Sequence, residues 1–397
     1  MESTSKRDAS IAACSQRRMA IQVHIFRGSG RIFGFTGTDA GGKNLPAQYG
    51  PWTAFKSLTM YPDEPQRGVD VNACLADIEA HGFHLTDAHR PITHLVTGKM
   101  PGRERALVLG GGGSTGNAWL IGVIAGLFDA GLDVTQADLI IGTSAGSTVA
   151  AQISAAQPTD LLASILAIAS QSRTSPVESD RGRVPNTPVA GHLEITSGII
   201  NAAVDAADMR RRMGAAALEM DAESDGSRQT QWRATVAARL PSQHWPQQNV
   251  LITAVDAHTG QPVVFDRHSG VDLVDAVAAS TANGFGVPPY SIDDSQYIDG
   301  GYRADVNADL AAGYERVLVL SPLGGRTRKP LDWGLHLAAQ ADELRARGSR
   351  VETIFPDNNS LNALGVDLMD LSRRPAAARG GYDQGMALAE QFTEFWR

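Results

Sequence analysis

A pattern of strand, glycine-rich turn and helix, present twice in succession, constrains the fold of this chain more than any other feature. Residues 106–109 form a short apolar strand, which is followed by a run of glycines and a helix predicted over residues 117–130. A second apolar strand at residues 138–141 leads into a tight turn and another helix from about residue 147. Strands that alternate with helices build parallel sheets. We therefore predict an α/β fold of three layers, with a mostly parallel central sheet and helices on both faces.

The rest of the chain divides into a tail and a small additional domain. Residues 1–20 are polar and are predicted to be a disordered tail. Residues 21–100 are predicted to be a small α+β domain and a linker, with two short strands and a helix that the spacing predicts over residues 71–81. Residues 101–397 contain the alternating strands and helices, and a polar loop is predicted over residues 171–192.

Charge and hydropathy exclude several classes of protein. The chain has 43 acidic and 35 basic residues and a net charge of −8, so it lacks the cationic surface that nucleic-acid binding requires. No run of 18 apolar residues predicts a transmembrane helix, and the N-terminus lacks the apolar core of a signal peptide. Only Cys14 and Cys74 are cysteines, too few for a disulfide framework. We therefore expect a cytoplasmic protein.

No metal or cofactor is expected from the residues that could bind one. Neither cysteine has a partner at zinc-ligand spacing. The histidines of the N-terminal part also fit no zinc pattern, and we predict that they are scattered over the surface; they are His81, His84, His89 and His94.

The turn after the second strand carries a motif typical of a nucleophilic serine. Residues 142–146 read G-T-S-A-G, which matches G-x-S-x-G between a strand and a helix. Gly142 and Gly146 permit a sharp turn that exposes the hydroxyl of Ser144, and the helix that follows directs its positive N-terminal end toward that hydroxyl. The alternative for this short motif is a tight turn without catalytic function.

The glycine run after the first strand provides backbone amides that can bind an anion. Residues 110–116 read G-G-G-G-S-T-G, and no lysine follows at the spacing of a P-loop. Gly111, Gly113 and Gly116 satisfy G-x-G-x-x-G, so a dinucleotide site remains an alternative. We favour an oxyanion hole formed at Gly111, Gly112 and Gly113, because a dinucleotide-binding domain has no use for the G-x-S-x-G turn that follows.

An aspartate at the end of a later strand is the best candidate for the base. Residues 297–301 read Y-I-D-G-G, so Asp299 is followed by Gly300 and Gly301, which permit close approach of the backbone. A capping aspartate in a turn is the alternative. None of the later histidines follows a strand with a glycine turn; they are His192, His244, His258, His268 and His336.

The order of these three motifs resembles that of the patatin-like phospholipase family, an α/β fold with a Ser–Asp dyad. The resemblance covers about residues 106–320 and extends plausibly to residue 397. It implies that Ser144 is the nucleophile, that Asp299 is the base and that the amides of the glycine run form the oxyanion hole. The family usually has Arg or Lys just before the last glycine of the first motif, where this chain has Thr115.

The resemblance implies a lipid acyl-ester hydrolase that works through an acyl-enzyme without a metal or cofactor. Its substrate would be a lipid or another acyl ester, and a transient contact with a membrane surface would suit such a substrate. Two alternatives remain open: an acyltransferase, and a lipid- or acyl-binding protein whose activity is weak or absent because of Thr115. The residues carry no signal for an oligomeric state.

Overall fold

The computed structural model comprises two compact units, residues 1–99 and residues 100–397. The tail predicted over residues 1–20 lies outside the residues that the structure describes. These are residues 21–28, 32–38, 41–46, 50–61, 69, 71–87, 90–91, 104–172, 189–222 and 225–397.

The first unit is an antiparallel sheet with one helix. The sheet has the strand order β3-β1-β2-β4-β5. Gly82, whose φ is +80°, directly follows the last residue of helix α1. The apolar side chains of β1 alternate with polar ones, so one face of the strand packs on Val71 and Cys74 of α1. The elements are β1 (Ile21–Arg27), β2 (Ile32–Thr36), β3 (Thr53–Met60), α1 (Val71–His81), β4 (Phe83–Asp87) and β5 (Arg90–Pro91).

The expectation that the histidines of this unit lie on the surface is wrong for His84. Its side chain is fully buried, and Nδ1 lies 2.7 Å from Oδ2 of Asp77. This contact compensates part of the cost of burying the ring, whereas Nε2 is buried with no hydrogen-bond partner among the described residues. His81 is exposed, whereas His89 and His94 lie outside the described residues.

The second unit is built on an eight-stranded sheet. Five strands run parallel in the order β8-β7-β6-β12-β13, and β9, β10 and β11 pair antiparallel. The strands are β6 (Arg105–Leu109), β7 (Leu139–Gly142), β8 (Asn249–Asp256), β9 (Pro262–Phe265), β10 (Tyr290–Ile292), β11 (Ser295–Asp299), β12 (Arg316–Leu320) and β13 (Arg350–Ile354).

Helices cover both faces of this sheet. Along β6, Leu107 and Leu109 enter one apolar core, and Ala106 and Val108 enter another on the opposite face. The predicted three-layer α/β fold is therefore confirmed. The helices are α2 (Gly113–Asp129), α3 (Ala145–Ile153), α4 (Pro158–Ser172), α5 (Val189–Ala202), α6 (Ala206–Asp221), α7 (Ser227–Arg239), α8 (Leu273–Ser280), α9 (Leu337–Ala346), α10 (Asn358–Leu364) and α11 (Arg374–Trp396).

Two of the predicted elements have different bounds in the structure. Helix α2 begins at Gly113 rather than near residue 117, because the last residues of the glycine run already form the first helical turn. The loop predicted over residues 171–192 is shorter, since α4 continues to Ser172 and α5 begins at Val189. None of the described helices is both long and apolar enough to cross a membrane.

Helices α2 and α11 pack with their backbones in contact. A Cβ atom on Gly122 would lie 2.1 Å from the carbonyl oxygen of Ala378, and one on Gly126 would lie 2.2 Å from that of Tyr382. The partner helix shows the same feature at Gly381 and Gly385. Because glycine has no side chain at these four positions, the C-terminal helix lies directly against the helix that begins in the glycine run.

This packing predicts opposite effects for alanine at two adjacent glycines of α11. At Gly381 the new methyl group would lie 2.4 Å from the carbonyl oxygen of Trp119, so Gly381→Ala should reduce the free energy of unfolding by about 1–3 kcal/mol. At Gly380 the nearest atoms are 3.4 Å away, and Gly380→Ala should be neutral or stabilise by up to about 1 kcal/mol through helix propensity. Urea unfolding measures both, and equal effects would contradict close packing at Gly381.

Candidate active site

Ser144 lies in a strained turn between β7 and α3. Its φ is +53°, in the left-handed region that non-glycine residues rarely adopt. The flanking glycines permit this turn, since a Cβ on Gly142 would lie 2.5 Å from Cα of Ser147 and one on Gly146 would lie 2.0 Å from the carbonyl oxygen of Leu109. The side chain is consequently presented at the carboxyl edge of the parallel strands, at the N-terminus of α3.

Two serines hold the backbone of this turn. The Ser144 amide donates a hydrogen bond to Oγ of Ser280 at 3.0 Å, and the Ser144 carbonyl accepts one from Oγ of Ser147 at 2.6 Å. Ser280 is the last residue of α8 and is fully buried. Its contribution has no local signal in the sequence, because it comes from a helix remote along the chain.

The structure places Asp299 beside Ser144. Asp299 is the last residue of β11, whose pairing with β8 sets it opposite Ala254. Its carboxylate accepts a hydrogen bond from the Gly301 amide at 2.7 Å, and the Ser144 side chain lies near enough to stabilise its charged form. Gly300 permits this approach, because a Cβ there would lie 2.1 Å from Oγ1 of Thr253.

The protein around Asp299 makes its carboxylate more basic. Burial raises the pKa to about 6, because desolvation disfavours the charged form. The hydrogen bonds from Ser144 and Gly301 and the charge of Lys329 act in the opposite direction, since each stabilises the carboxylate. Desolvation outweighs these three contributions, so the group ionises near neutral pH rather than near pH 4.

The glycine run lies directly beside the serine. A Cβ on Gly111 would lie 3.4 Å from Cβ of Ser144, so the loop after β6 contacts the turn after β7. The amides of Gly111, Gly112 and Gly113 donate no hydrogen bond to any residue in the described part of the chain. Such amides next to a hydroxyl can bind negative charge that develops there.

Side chains are excluded from most of this loop by its neighbours. A Cβ on Gly112 would lie 2.6 Å from Cβ of Pro322, and one on Gly116 would lie 3.1 Å from the same atom. Gly113 has a φ of +61°, and a Cβ there would lie 2.8 Å from the carbonyl oxygen of Leu368. The glycines therefore serve close packing as well as exposure of the amides.

Position 115 is occupied by a buried threonine, and a cation reaches the same helical turn from elsewhere. The amide and the hydroxyl of Thr115 both donate to the carbonyl of Leu368, at 3.0 and 3.4 Å. The guanidinium of Arg374 donates to the carbonyl of Ser114 at 2.7 Å and to Oδ1 of Asn117 at 3.0 Å. Sequence reasoning missed Arg374, which lies far along the chain in α11.

A buried asparagine joins the turns that carry the serine and the aspartate. The Asn307 side chain is fully buried, and its Nδ2 donates to Oγ1 of Thr143 at 2.9 Å and to the carbonyl of Gly300 at 3.1 Å. Its Oδ1 accepts a hydrogen bond from Arg303 at 2.6 Å, which sets the orientation of the amide. Thr253 also bonds Thr143, at 3.2 Å, and completes the network.

The later histidines take no part in this arrangement. In the parts of the chain that the structure describes, none of them forms a hydrogen bond with Ser144 or Asp299, and no group of three or more metal-ligating side chains exists. His192 packs against the ring of Phe285, with the ring centroids 6.3 Å apart.

A family comparison agrees with this architecture. The family model "Patatin-like phospholipase" matches residues 107–312, and the chain belongs to this family. The matched residues include the glycine run, Ser144 and Asp299. Membership supports lipid hydrolase activity in general terms.

Two solved structures have a similar arrangement at low identity. VipD from Legionella pneumophila is 12% identical with a TM-score of 0.36, and the match covers 79% of this chain and 69% of VipD. The type III effector protein ExoU is 15% identical with a TM-score of 0.27, and the match covers 72% of this chain but about half of ExoU, 54%. No curated protein matches the sequence.

The asparagine network predicts a loss of stability when its donor is removed. Asn307→Asp places a carboxylate oxygen against the carbonyls of Gly300 and Ala304, 3.1 and 3.2 Å from the present amide nitrogen. We expect the free energy of unfolding to fall by about 1–3 kcal/mol. Asn249→Asp on the exposed end of β8 is the matched control, because its amide makes one long hydrogen bond to Asp138. Equal loss in both variants by chemical denaturation would contradict this role for Asn307.

Proposed function

We propose that Ser144 and Asp299 form a catalytic dyad that hydrolyses acyl esters of lipids through an acyl-enzyme intermediate. The observation that carries this proposal is the position of Ser144 beside the buried carboxylate of Asp299, with three free amides of the glycine run next to the serine. A nucleophile in contact with its base and with donors for an oxyanion is the arrangement that acyl transfer requires.

In the first step Asp299 accepts the proton of the Ser144 hydroxyl while the serine oxygen attacks the ester carbonyl. The carbonyl oxygen becomes an oxyanion, which the amides of Gly111, Gly112 and Gly113 stabilise. When the tetrahedral intermediate collapses, Asp299 returns the proton to the leaving alcohol, and the acyl group stays on the serine. Water then attacks the acyl-enzyme, giving up a proton to Asp299, and the released serine recovers that proton.

The environment of Asp299 suits this role. A carboxylate with its ordinary pKa is a weak base toward a hydroxyl, and a pKa of about 6 lies closer to the working pH of a general base. The strained φ of Ser144 and the N-terminus of α3 hold the hydroxyl toward the base.

We also propose that residues 101–397 constitute the hydrolase domain, and that residues 21–100 form a small α+β domain with its linker. The substrate would be a lipid acyl ester at a transiently contacted membrane surface, and the protein would act in the cytoplasm.

The dyad predicts that two residues are essential and that histidines are not. Ser144→Ala and Asp299→Asn should each reduce kcat/KM for a nitrophenyl ester by roughly 10³-fold or more, because the nucleophile or the proton acceptor is lost. His192→Gln should retain most activity, since this ring does not bond either residue. Circular dichroism verifies folding. A folded Ser144→Ala variant with near wild-type turnover would reject the dyad.

Two further measurements separate this function from its alternatives. A fluorophosphonate probe should label wild-type protein and leave Ser144→Ala unlabelled, whereas a non-catalytic lipid-binding protein would not be labelled. Product analysis with an added alcohol acceptor distinguishes the two enzymes: free fatty acid indicates a hydrolase, and acylated acceptor indicates an acyltransferase.

The raised pKa of Asp299 predicts how activity depends on pH. The base must be ionised, so kcat/KM should fall as the pH decreases through about 6 and should be constant above it until another group titrates. A catalytic histidine also titrates in this range, and the His192→Gln variant distinguishes the two cases because it should keep the same acidic limb. An acidic limb near pH 4 would contradict the desolvation of Asp299.

A further inference from the structure

Lys329 is a buried cation behind the turn that carries Asp299. Its side chain is 7% exposed, and Nζ donates to the carbonyl of Gly301 at 2.8 Å and to Oδ1 of Asp305 at 2.5 Å. Burial of an ammonium group is unfavourable unless a partner compensates it. Here one carboxylate and one carbonyl compensate the charge. The carbonyl belongs to Gly301, whose amide donates a hydrogen bond to Asp299.

Gly301 thus links Lys329 to Asp299 through its two backbone polar groups. The Gly301 amide donates to the Asp299 carboxylate at 2.7 Å, and the Gly301 carbonyl accepts from Lys329. A group that holds the carbonyl also orients the short helical turn that begins at Gly300. Asp305 in turn fixes Lys329, and its other carboxylate oxygen, Oδ2, is buried with no hydrogen-bond partner among the described residues.

The charged and titratable groups around Asp299 come from three segments. The hydroxyl of Ser144 lies on one side, and Lys329 lies behind the turn. The Tyr302 hydroxyl is also close, but it donates to the carbonyl of Asn283 at 2.7 Å; burial and the charge of Asp299 raise its pKa, so it stays neutral. Arg328 acts on Tyr302 and Lys329, and its guanidinium is bound to Thr196 at 2.9 Å.

Lys329 is therefore the charged side chain whose effect favours the ionised form of Asp299. Its positive charge lowers the pKa of Asp299 against the larger effect of desolvation. Burial lowers the pKa of Lys329 itself, and Asp305 opposes that change, so Asp305 helps to keep the ammonium protonated.

We propose that Lys329, held by Asp305, is a positioning residue that clamps the carbonyl of Gly301 and supplies the positive charge that keeps the Asp299 carboxylate ionised. This inference rests on the proposed dyad. It adds a buried ion pair whose positive member opposes the desolvation of the base.

The ion pair can be tested by the sign of a change in the pH profile. Lys329→Met removes the cation and leaves Asp305 negative, so the acidic limb of kcat/KM should move to higher pH. For a shift of one pKa unit, activity should fall about fivefold at pH 6 and hardly at all at pH 8, because the ionised fraction of the base at pH 6 drops from about one half to about one tenth.

A role confined to structure gives a different result. Loss of packing would reduce kcat in Lys329→Met without moving its limb, and that outcome overturns the proposal. Arg328→Met is the matched control, because it removes a neighbouring cation that does not act on Asp299, and its limb should be unchanged.

A second variant covers a failure of Lys329→Met to fold. The double variant Lys329→Met/Asp305→Asn leaves no unpaired charge in the interior, and it should also show a limb at higher pH than the wild type. The rate of fluorophosphonate labelling against pH gives the same limb when turnover is low. An unchanged limb in the folded double variant overturns the proposal.

Failure of the dyad is distinguishable from failure of this inference. If Asp299→Asn retains activity, the proposed base is wrong. If Asp299→Asn is inactive and the limb of Lys329→Met coincides with that of the wild type, the dyad stands and only the role of the ion pair is rejected.

Discussion

A single buried amide, that of Asn307, connects the two halves of the candidate site. Its nitrogen bonds Thr143, which precedes Ser144, and the carbonyl of Gly300, which follows Asp299. A buried network of this kind is rigid because each unsatisfied member would cost the free energy of its desolvation. A buried link therefore joins the residue before Ser144 to the residue after Asp299, and it restricts the separation between the serine and the aspartate.

Opposing electrostatic effects act on the aspartate within this rigid frame. Desolvation raises its pKa, whereas the serine hydroxyl, the Gly301 amide and the ammonium of Lys329 stabilise the charged form. A more polar environment would make Asp299 a weak base, and a drier one would keep it protonated at neutral pH. The pKa of about 6 results from this balance.

The C-terminal part of the chain completes the site although it lies beyond residues 107–312, where the family model matches. Helix α11 packs backbone to backbone against α2 and contributes Arg374 to its first turn. The carbonyl of Leu368 accepts from the amide of Thr115. The glycine run is thus supported from behind by residues that local motifs do not reveal.

Local patterns in the sequence were sufficient for the parallel α/β core and for the three motifs, because strand, turn and helix each depend on neighbouring residues. The strand predicted over residues 106–109 lies within β6, and the helix predicted over residues 71–81 coincides with α1. The catalytic roles of Ser144 and Asp299 remain predictions, although the structure brings the two side chains together.

Helices α4 to α7 and helix α10 were not predicted, and α6 shows why. It buries only a narrow stripe, which consists of Met209, Met213, Gly214 and Ala217, so its apolar periodicity is weak. Packing against the rest of the protein stabilises such a helix more than its own sequence does.

Four groups reach the site from remote segments of the chain, and only the tertiary structure shows them: Ser280, Asn307, Lys329 and Arg374. Each acts through a contact between parts of the chain that are distant in sequence, and a contact of that kind leaves no periodicity or spacing to detect. Local sequence patterns specify which turns can form and which residues those turns present. The sheet determined which turns meet: the carboxyl ends of the adjacent parallel strands β6 and β7 lie at one edge, and the register of the antiparallel strand β11 sets Asp299 opposite Ala254 of β8.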